Sequence, residues 1–503
     1  MIISQRAFQA HRKTKIICTI GPATNTPEMI EKLVYAGMDV ARLNFSHGYH
    51  EDHIKVIKTI REISNEIRKP IAILQDLQGP KIRTGKLKGG PITLTPGQIF
   101  TITTEQIDST ESMVSTTYKD LARDLGPGNT LLIDDGLLQL VVLESNGIRL
   151  KCEVIHGGLL KDNKGINIPD VKLTTPAMTE KDIKDLEIGL EYDVDYIALS
   201  FVREAKDVVE LKHRIKQAGR DIPVIAKIEK PQALGQIDEI LDVSDGIMVA
   251  RGDLGVELTP EKVPVEQKRL IKKANEKGVL VITATQMLES MIKNPCPTRA
   301  EASDVANAIF DNTDAVMLSG ETASGNYPIE VVKIMSRIIE ETEKAISYPR
   351  KASSSDLEDQ SPAKPKDPPG FFPQTISQLA CEAARQIDAK ALLVFTSSGA
   401  TARRISKCRS NCRAVALSPY PRVQSRMALY WGIQPAIIDK ELDSIQTFED
   451  VCEKVDEILL QSGLFAEGES VVITAGSPSP VSGTTNVMKL HVLGREYDLQ
   501  EIS

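Results

Sequence analysis

The sequence has no long apolar stretch, no pairing pattern among its cysteines and no excess of basic residues. No run approaches the roughly 18 consecutive apolar residues of a membrane-spanning helix. The seven cysteines are scattered and odd in number, which favours reduced thiols in a cytoplasm over a disulfide framework. Residues 1–12 form a charged amino-terminal arm with no apolar segment behind it, so we expect no secretory signal.

The charge balance argues against nucleic acid as a partner. Lys and Arg number 61 and Asp and Glu number 69, so the formal net charge is −8. Such a chain is a poor candidate for sequence-independent binding to DNA. It binds small anions only where it gathers basic side chains locally.

Short β-branched runs alternate with helical patterns through the first two thirds of the 503 residues. This length predicts about three domains. Alternating strands and helices imply a parallel sheet, and eight such units imply a closed TIM barrel in an α/β protein. The predicted strands are Lys15–Ile20, Asp39–Phe45, Ile71–Leu77, Asp195–Phe201, Pro223–Glu229, Asp245–Arg251, Val279–Gln286 and Ala315–Glu321.

The alternation breaks in two places. After the third strand it turns into strands and turns rich in glycine and proline, which predicts an inserted all-β domain. Later, a stretch rich in Ser, Pro, Lys and Asp has the composition of a flexible linker, and βα units then resume. We therefore predict a barrel over 13–84 and 171–347, an inserted β-barrel lid over 85–170, a linker over 348–373 and an α/β effector domain over 374–503.

Polar residues cluster where the predicted barrel strands end, which is the face that carries the chemistry in such barrels. Lys227 and Glu229 lie two apart on the fifth strand and therefore share a face. A structural ion pair is one explanation of this pair. Asp253 follows the sixth strand, however, and two carboxylates on adjacent strand ends can share a hard divalent cation.

A guanidinium and several hydroxyls complete the candidate site. Arg42, Asn44 and Ser46 alternate along the second strand and point the same way. Thr285 and Ser319 follow the seventh and eighth strands, where a hydroxyl can orient a substrate or relay a proton. The set suits a small phosphorylated acid, because phosphoryl transfer needs cations that spread the developing charge more than it needs a protein nucleophile.

Several long motifs occur in one order along the sequence. They are Lys13–Pro22, Gly37–Gly48, Ser244–Gly255, Ala284–Ile292, Pro297–Glu301, Ser303–Ala308 and Val316–Ala323. Runs of this kind in the right order are far more specific than a lone glycine-rich motif. With them the sequence resembles the pyruvate kinase family over nearly its whole length. The resemblance implies transfer of the phosphoryl group of phosphoenolpyruvate to ADP in glycolysis, in an allosteric, cytoplasmic homotetramer.

The resemblance also implies a role for each reactive residue. Arg42 would hold the transferring phosphoryl group, and Lys227 would stabilise its charge in flight. Glu229 and Asp253 would bind Mg²⁺ or Mn²⁺. The backbone at Gly252 and Asp253, with the Thr285 hydroxyl, would hold the substrate carboxylate. Thr285 and Ser319, with ordered water, would relay a proton to the enolate of pyruvate. ADP would lie between barrel and lid, against Asn44, Phe45, Ser46, His47, Arg83 and Lys164.

Lys81 departs from the family pattern. Many members carry an acidic residue at this position and need K⁺. A tethered ammonium can supply the positive charge that K⁺ otherwise provides, so we expect an enzyme that does not require K⁺. The K⁺ site of those members corresponds here to Asn44, Ser46, Asp76 and Leu77.

The carboxyl-terminal domain departs as well. Residues 396–401 follow a strand and precede a helical segment, where hydroxyls and amides can cradle a phosphate as in the family's effector loop. Residues 476–485, the second effector segment, lack the Trp and Arg of members activated by fructose 1,6-bisphosphate. We therefore expect a sugar monophosphate or AMP as effector. Its phosphate would contact Thr396, Ser397, Ser398, Gly399 and Thr401.

Two other functions fit parts of the pattern. A barrel lyase acting on pyruvate enolates can also use a Glu–Asp metal pair, but it has no need of the inserted domain or of Arg83 and Lys164. A catalytically silent metabolite-binding protein would not need to keep all the reactive residues of the candidate site. Formation of pyruvate that depends on ADP separates the three functions.

Overall fold

The first part of the barrel forms as predicted, from aliphatic strands buried on both faces and followed by helices. The structure, a computed structural model, describes residues 12–169, 171, 176–346, 368–438, 448–476 and 485–494. The predicted amino-terminal arm therefore lies almost wholly outside the described residues. The first elements are β1 (Lys15–Ile20), α1 (Pro27–Ala36), β2 (Val40–Asn44), α2 (His50–Glu66) and β3 (Ala72–Asp76).

The inserted domain follows β3 and is built almost entirely from strands around its own apolar core. Its elements are β4 (Ile92–Leu94), β5 (Ile99–Thr103), β6 (Met113–Ser115), α3 (Leu121–Asp124), β7 (Thr130–Ile133), β8 (Leu138–Ser145), β9 (Arg149–His156), β10 (Gly158–Leu160) and β11 (Ile166–Asn167). One sheet runs in the order β11-β7-β8-β9-β5-β6, and β10 pairs with β4.

The barrel then resumes and closes. Its elements are α4 (Glu180–Glu191), β12 (Tyr196–Leu199), α5 (Ala205–Gln217), β13 (Val224–Ile228), α6 (Pro231–Gly235), α7 (Ile237–Val243), β14 (Gly246–Ala250), α8 (Arg251–Glu257), α9 (Val263–Glu276), β15 (Leu280–Ala284), α10 (Arg299–Phe310), β16 (Ala315–Leu318), α11 (Gly320–Ala323) and α12 (Pro328–Ala345), with 3₁₀ turns at Pro260–Lys262 and Glu289–Ile292. The strands close in the order β1-β2-β3-β12-β13-β14-β15-β16, which confirms the predicted eight-stranded parallel barrel.

Several strands end earlier than predicted. β15 ends at Ala284 instead of Gln286, and β16 ends at Leu318 instead of Glu321. Thr285 and Gln286 leave the sheet with φ angles of 65° and 54°, which no strand residue adopts. Thr285 and Ser319 therefore lie on turns beyond the strand ends, whereas Arg42 and Lys227 lie within β2 and β13.

The carboxyl-terminal domain is an α/β sheet. Its elements are α13 (Pro368–Gln386), β17 (Ala391–Phe395), α14 (Ala400–Lys407), β18 (Ala414–Ser418), α15 (Pro421–Met427), β19 (Ile433–Ile437), α16 (Phe448–Gln461), β20 (Ser470–Gly476) and β21 (Thr485–Val492). The order is β19-β18-β17-β20-β21, and β21 runs antiparallel to β20.

Two details of this domain differ from expectation. Residues 368–373, assigned to the linker, form the start of α13, and Pro373 lies inside this helix; linker residues 348–367 lie outside the described part. The βα pattern of the sequence also predicts a strand over Ala436–Asp439, whereas β19 lies a few residues earlier and ends at Ile437. Within the described ranges, no helix is both long and apolar enough to cross a membrane.

The carboxyl-terminal domain packs against the amino-terminal end of the barrel. One buried apolar cluster contains side chains of the barrel interior and of this domain. The Tyr196 hydroxyl donates to the Arg426 carbonyl at 2.7 Å. Asp314, directly before β16, is fully buried and contacts Lys407 Nζ at 2.6 Å and Arg409 Nη2 at 2.8 Å. Apolar packing and ion pairs thus join the two domains.

Candidate active site

Lys227 lies at the centre of a buried charged cluster at the carboxyl-terminal end of the barrel. Its Nζ lies 3.2 Å from Asp76 Oδ1 and 3.0 Å from Glu229 Oε1, and it donates to Ser200 Oγ at 2.7 Å. Burial alone would lower the pKa of Lys227, but the charges of Asp76 and Glu229 outweigh burial and raise the pKa. The ammonium is therefore fully charged at neutral pH.

Arg42 lies beside Lys227 and shares its carboxylate partner. Arg42 Nε donates to Asp76 Oδ2 at 2.7 Å, and Nη1 donates to Thr19 Oγ1 at 2.9 Å. Burial disfavours ionisation of Asp76, but Lys227 and Arg42 outweigh it and lower the pKa of this carboxyl. Asp76 thus holds the guanidinium of Arg42 and the ammonium of Lys227 side by side, where both can face one anionic group.

Glu229 and Asp253 have the chemistry of a divalent-cation site. Glu229 follows β13 and accepts the Phe201 N–H at 2.7 Å, while Asp253 lies in the first turn after β14. The pKa of Glu229 is raised overall, because burial and the nearby charge of Asp253 outweigh the lowering effect of Lys227. A cation between the two carboxylates would relieve both the burial and the repulsion. The donor set therefore fits Mg²⁺ or Mn²⁺.

Gly252 and Thr285, both predicted to hold the substrate carboxylate, are in direct contact. The Gly252 N–H donates to Thr285 Oγ1 at 2.7 Å, and the Thr285 hydroxyl donates to the Ala284 carbonyl at 2.6 Å. The Gly252 amide and the Thr285 hydroxyl therefore lie together at the carboxyl-terminal end of the barrel, next to Asp253.

Arg251 was not predicted from the sequence, yet it holds the turn that carries Thr285. Its guanidinium donates to the carbonyls of Ala284 at 3.3 Å, Thr285 at 2.7 Å and Gln286 at 3.2 Å. It also contacts Asp304 Oδ2 at 2.6 Å. A positive φ is costly for a β-branched residue such as Thr285, and these charge-assisted bonds offset that cost.

Ser319 has the environment expected of a relay residue. Its Oγ is buried and lacks a hydrogen-bond partner among the residues that the structure describes. Its N–H donates to Glu321 Oε2 at 2.7 Å, and burial raises the pKa of Glu321. A buried hydroxyl without a protein partner is free to contact water or substrate.

Lys81 reaches the candidate metal site. Its Nζ lies 3.7 Å from Asp253 Oδ1, at the mouth of the barrel. The residues predicted by resemblance to hold K⁺ have other surroundings. Asp76 contacts Arg42 and Lys227, the Leu77 side chain is buried and has no donor atom for a cation, and Asn44 Oδ1 accepts the Ser46 N–H at 3.1 Å.

Two predicted nucleotide residues lie on the barrel side of the cleft, in different surroundings. The Phe45 side chain is buried and stacks on His53 with ring centroids 4.1 Å apart, so its ring does not face the cleft. His47 is partly exposed, and burial together with the positive charges of Arg83 and Lys81 lowers its pKa. His47 is therefore neutral at physiological pH.

Arg83 and Lys164 lie together on the lid side. The backbone of Arg83 pairs with Gly165, and its guanidinium donates to the Asn163 carbonyl at 3.2 Å. Lys164 Nζ contacts Asp134 Oδ1 at 2.7 Å. Arg83 was expected on the barrel side, but the strand-like pairing across the domain junction attaches it to the lid.

The predicted effector loop forms a tight turn. Thr396 Oγ1 accepts the Gly399 N–H at 2.9 Å, and Gly399 takes a φ of 83° before α14. Ser398 is exposed at the tip, whereas the Thr401 hydroxyl is buried and bonded to Thr485. Of the second effector segment, residues 477–484 lie outside the described part.

The fold and the site together define a barrel enzyme that acts on a small phosphorylated acid. Family models described as "Pyruvate kinase, barrel domain" and "Pyruvate kinase, alpha/beta domain" match residues 11–332 and 374–491. The chain belongs to the pyruvate kinase family.

Similar proteins agree with this membership. Pyruvate kinases of Sporosarcina psychrophila and Staphylococcus aureus (strain MRSA252) are 46% and 44% identical, over 96% of this chain and 81% of theirs. The crystal structure of a pyruvate kinase from Cryptosporidium parvum superimposes with a TM-score of 0.87 at 38% identity, over 98% of each chain. The chain is thus a phosphotransferase of glycolysis, and neither alternative function is supported. The family implies phosphoenolpyruvate, ADP, ATP and pyruvate as substrates and products, and a divalent metal.

Proposed function

We propose that the buried cluster around Lys227 carries out the transfer of the phosphoryl group from phosphoenolpyruvate to ADP. The observation that supports this most directly is the raised pKa of Lys227, since a fixed, fully charged ammonium can stabilise charge that develops on the phosphoryl group. Arg42, aligned by Asp76, would hold the same group from the side.

Glu229 and Asp253 would hold the divalent cation. When bound, the metal would supply Lewis-acid polarisation of substrate oxygens. Glu229 keeps its orientation through the Phe201 N–H, and such supporting contacts usually matter for metal affinity.

The substrate carboxylate would lie against Gly252, Asp253 and Thr285. Its arrival would displace the present contact between the Gly252 N–H and the Thr285 hydroxyl. Thr285 and Ser319 would then relay a proton to the enolate of pyruvate, and the partnerless Ser319 Oγ supports this role.

ADP would lie in the cleft between the barrel and the inserted lid. Arg83 and Lys164 would contribute positive charge from the lid, and Asn44, Ser46 and neutral His47 would contribute polar atoms from the barrel. Closure of the lid would exclude water and limit hydrolysis of the donor.

The purified protein should form pyruvate from phosphoenolpyruvate only when ADP and Mg²⁺ or Mn²⁺ are both present. A lactate dehydrogenase assay measures the pyruvate, and a luciferase assay of the same samples should show an equal amount of ATP. Pyruvate formed at the same rate without ADP would contradict the proposal.

Lys81 would replace K⁺. Its ammonium lies near Asp253, where it adds positive charge beside the candidate metal site. The side chain of Leu77, where members that need K⁺ carry a hydroxyl, has no oxygen for such an ion. Both features support activity without K⁺.

A sugar monophosphate or AMP would bind at residues 396–401 and control the rate, in a cytoplasmic homotetramer. Ser398 would present an exposed hydroxyl to its phosphate, close to Thr396 and Ser397.

Substituting Ser398→Ala is expected to weaken effector binding about tenfold, because one hydrogen bond to a charged phosphate is lost. Isothermal titration with glucose 6-phosphate, ribose 5-phosphate and AMP measures this. Ser462→Ala, in the same domain but outside the loop, is the control and should bind like the parent protein. Equal binding by the parent and Ser398→Ala would contradict this site.

A further inference from the structure

A buried ion pair ties together the two segments that carry Glu229 and Asp253. Glu257 is the last residue of α8, one helical turn after Asp253, and its side chain is 0% exposed. Its Oε1 accepts a hydrogen bond from Lys230 Nζ. Lys230 directly follows Glu229 in the chain. The pair therefore connects the end of β13 with the helix that follows β14.

The same carboxylate also contacts the lid. Asn167, the last residue of β11, donates its Nδ2–H to Glu257 Oε1 at 2.9 Å. Asn167 is buried, and it lies on the segment through which the lid returns to the barrel. Glu257 Oε2 is buried without a hydrogen-bond partner within the described ranges. One carboxylate thus joins three segments that are distant in the sequence.

Burial gives this junction its rigidity. An isolated carboxylate in a protein interior is strongly disfavoured, so moving Lys230 away from Glu257 would leave a buried charge without its partner. The helical turn between Asp253 and Glu257 is itself stiff. A single peptide bond separates Glu229 from Lys230. The ion pair consequently limits how far the carboxylates of Glu229 and Asp253 can move apart.

We propose that Glu257 is a positioning residue that sets the spacing of Glu229 and Asp253 and links that spacing to the position of the lid. Lys230 connects Glu257 to the segment that carries Glu229, and Asn167 connects Glu257 to the lid. The proposal rests on the proposed function, in which Glu229 and Asp253 hold the divalent cation. Neither Glu257 nor Asn167 touches the reacting groups, and both act through the segments that they join.

Mn²⁺ binding to the whole protein without substrates tests the link to the metal site. Titration followed by electron paramagnetic resonance should show about tenfold or more weaker binding in Glu257→Gln, the size expected when support of a ligand is lost. Glu266→Gln is the matched control, because Glu266 lies on the neighbouring helix and pairs with Arg269 at 2.7 Å. This control should bind Mn²⁺ like the parent protein.

Lys230 supplies a second test if Glu257→Gln folds poorly. Lys230→Arg keeps the charge and should retain most of the Mn²⁺ affinity, whereas Lys230→Met should lose it. Asn167→Ala breaks only the contact to the lid. It should leave Mn²⁺ binding unchanged and raise KM for ADP more than it lowers kcat.

Unchanged Mn²⁺ affinity in folded Glu257→Gln would overturn the proposal, as would equal losses in Lys230→Arg and Lys230→Met. Glu229→Gln separates this failure from failure of the proposed metal site. If Glu229→Gln also binds Mn²⁺ normally, the metal site itself is wrong. If Glu229→Gln loses Mn²⁺ binding and Glu257→Gln does not, the metal site is supported and the role proposed for Glu257 is wrong.

Discussion

Replacing Lys227 by methionine should lower kcat at least about 10³-fold, because a buried charge aimed at the developing phosphoryl charge is lost. Methionine has a similar length and no charge. The coupled pyruvate assay measures kcat at saturating phosphoenolpyruvate and ADP. Lys227→Arg, which keeps the charge but changes the geometry, should fall between the parent protein and Lys227→Met.

The same substitution should change how stability depends on pH. Without Lys227, Asp76 and Glu229 lose their shared cation, and the pKa of each carboxyl in the folded protein should rise. An acid whose pKa is higher in the folded than in the unfolded state stabilises the fold below its unfolded pKa and loses that contribution as pH rises through the folded pKa. The free energy of unfolding of Lys227→Met should therefore be lower than that of the parent protein by about 3–5 kcal/mol at pH near 8, and by less at pH near 5.

Urea unfolding at both pH values measures this difference. In the parent protein, Lys227 and Arg42 lower the pKa of Asp76 against the effect of burial, so this carboxyl stabilises the fold above its unfolded pKa. An equal loss of stability at both pH values would contradict the proposed sharing of the lysine by two carboxylates.

Replacing Lys81 by glutamate should make the enzyme depend on K⁺. In buffer free of K⁺ and Na⁺, the parent protein should show almost its full rate, while Lys81→Glu should lose about 10²-fold, or about 2.7 kcal/mol of transition-state stabilisation. Reversal of this charge places a carboxylate near Asp253, where Lys81 Nζ now lies 3.7 Å away. Added K⁺ should restore part of the rate.

Two further variants separate the charge of residue 81 from the binding of an ion. Lys81→Met has neither the ammonium nor a carboxylate, so it should be slow with and without K⁺. Adding Leu77→Thr to Lys81→Glu supplies a hydroxyl for the ion and should increase the response to K⁺. A large activation of the parent protein by K⁺ would contradict the role of Lys81.

The barrel was predictable from the sequence because each of its strands is a short run of aliphatic residues, buried on both faces and separated by helical patterns. The ends of the strands were less predictable. Thr285 continues the polar and apolar alternation of β15, but Arg251 binds the carbonyls of the turn in which the chain leaves the sheet. Local propensity contains no information about such a contact.

The charged residues that the structure brings together in the candidate site were predictable for a related reason. Arg42, Lys227 and Glu229 are charged residues inside apolar strands, and burial makes such residues conspicuous. Arg251 and Glu257 escaped prediction because their partners, the turn at Thr285 and the lid residue Asn167, are far away in the chain. An arginine beside Gly252 at an otherwise apolar strand end was the available signal.

The junction between the barrel and the carboxyl-terminal domain has a consequence for dissecting this enzyme. Both parts contribute to one apolar cluster, and buried Asp314 of the barrel depends on Lys407 and Arg409 of the other domain. A barrel expressed by itself would expose that cluster to solvent. It would also leave the carboxylate of Asp314 without its two cationic partners. Gene truncation is therefore the wrong tool for studying the barrel alone, whereas a cut chain whose halves stay associated should melt in a single transition.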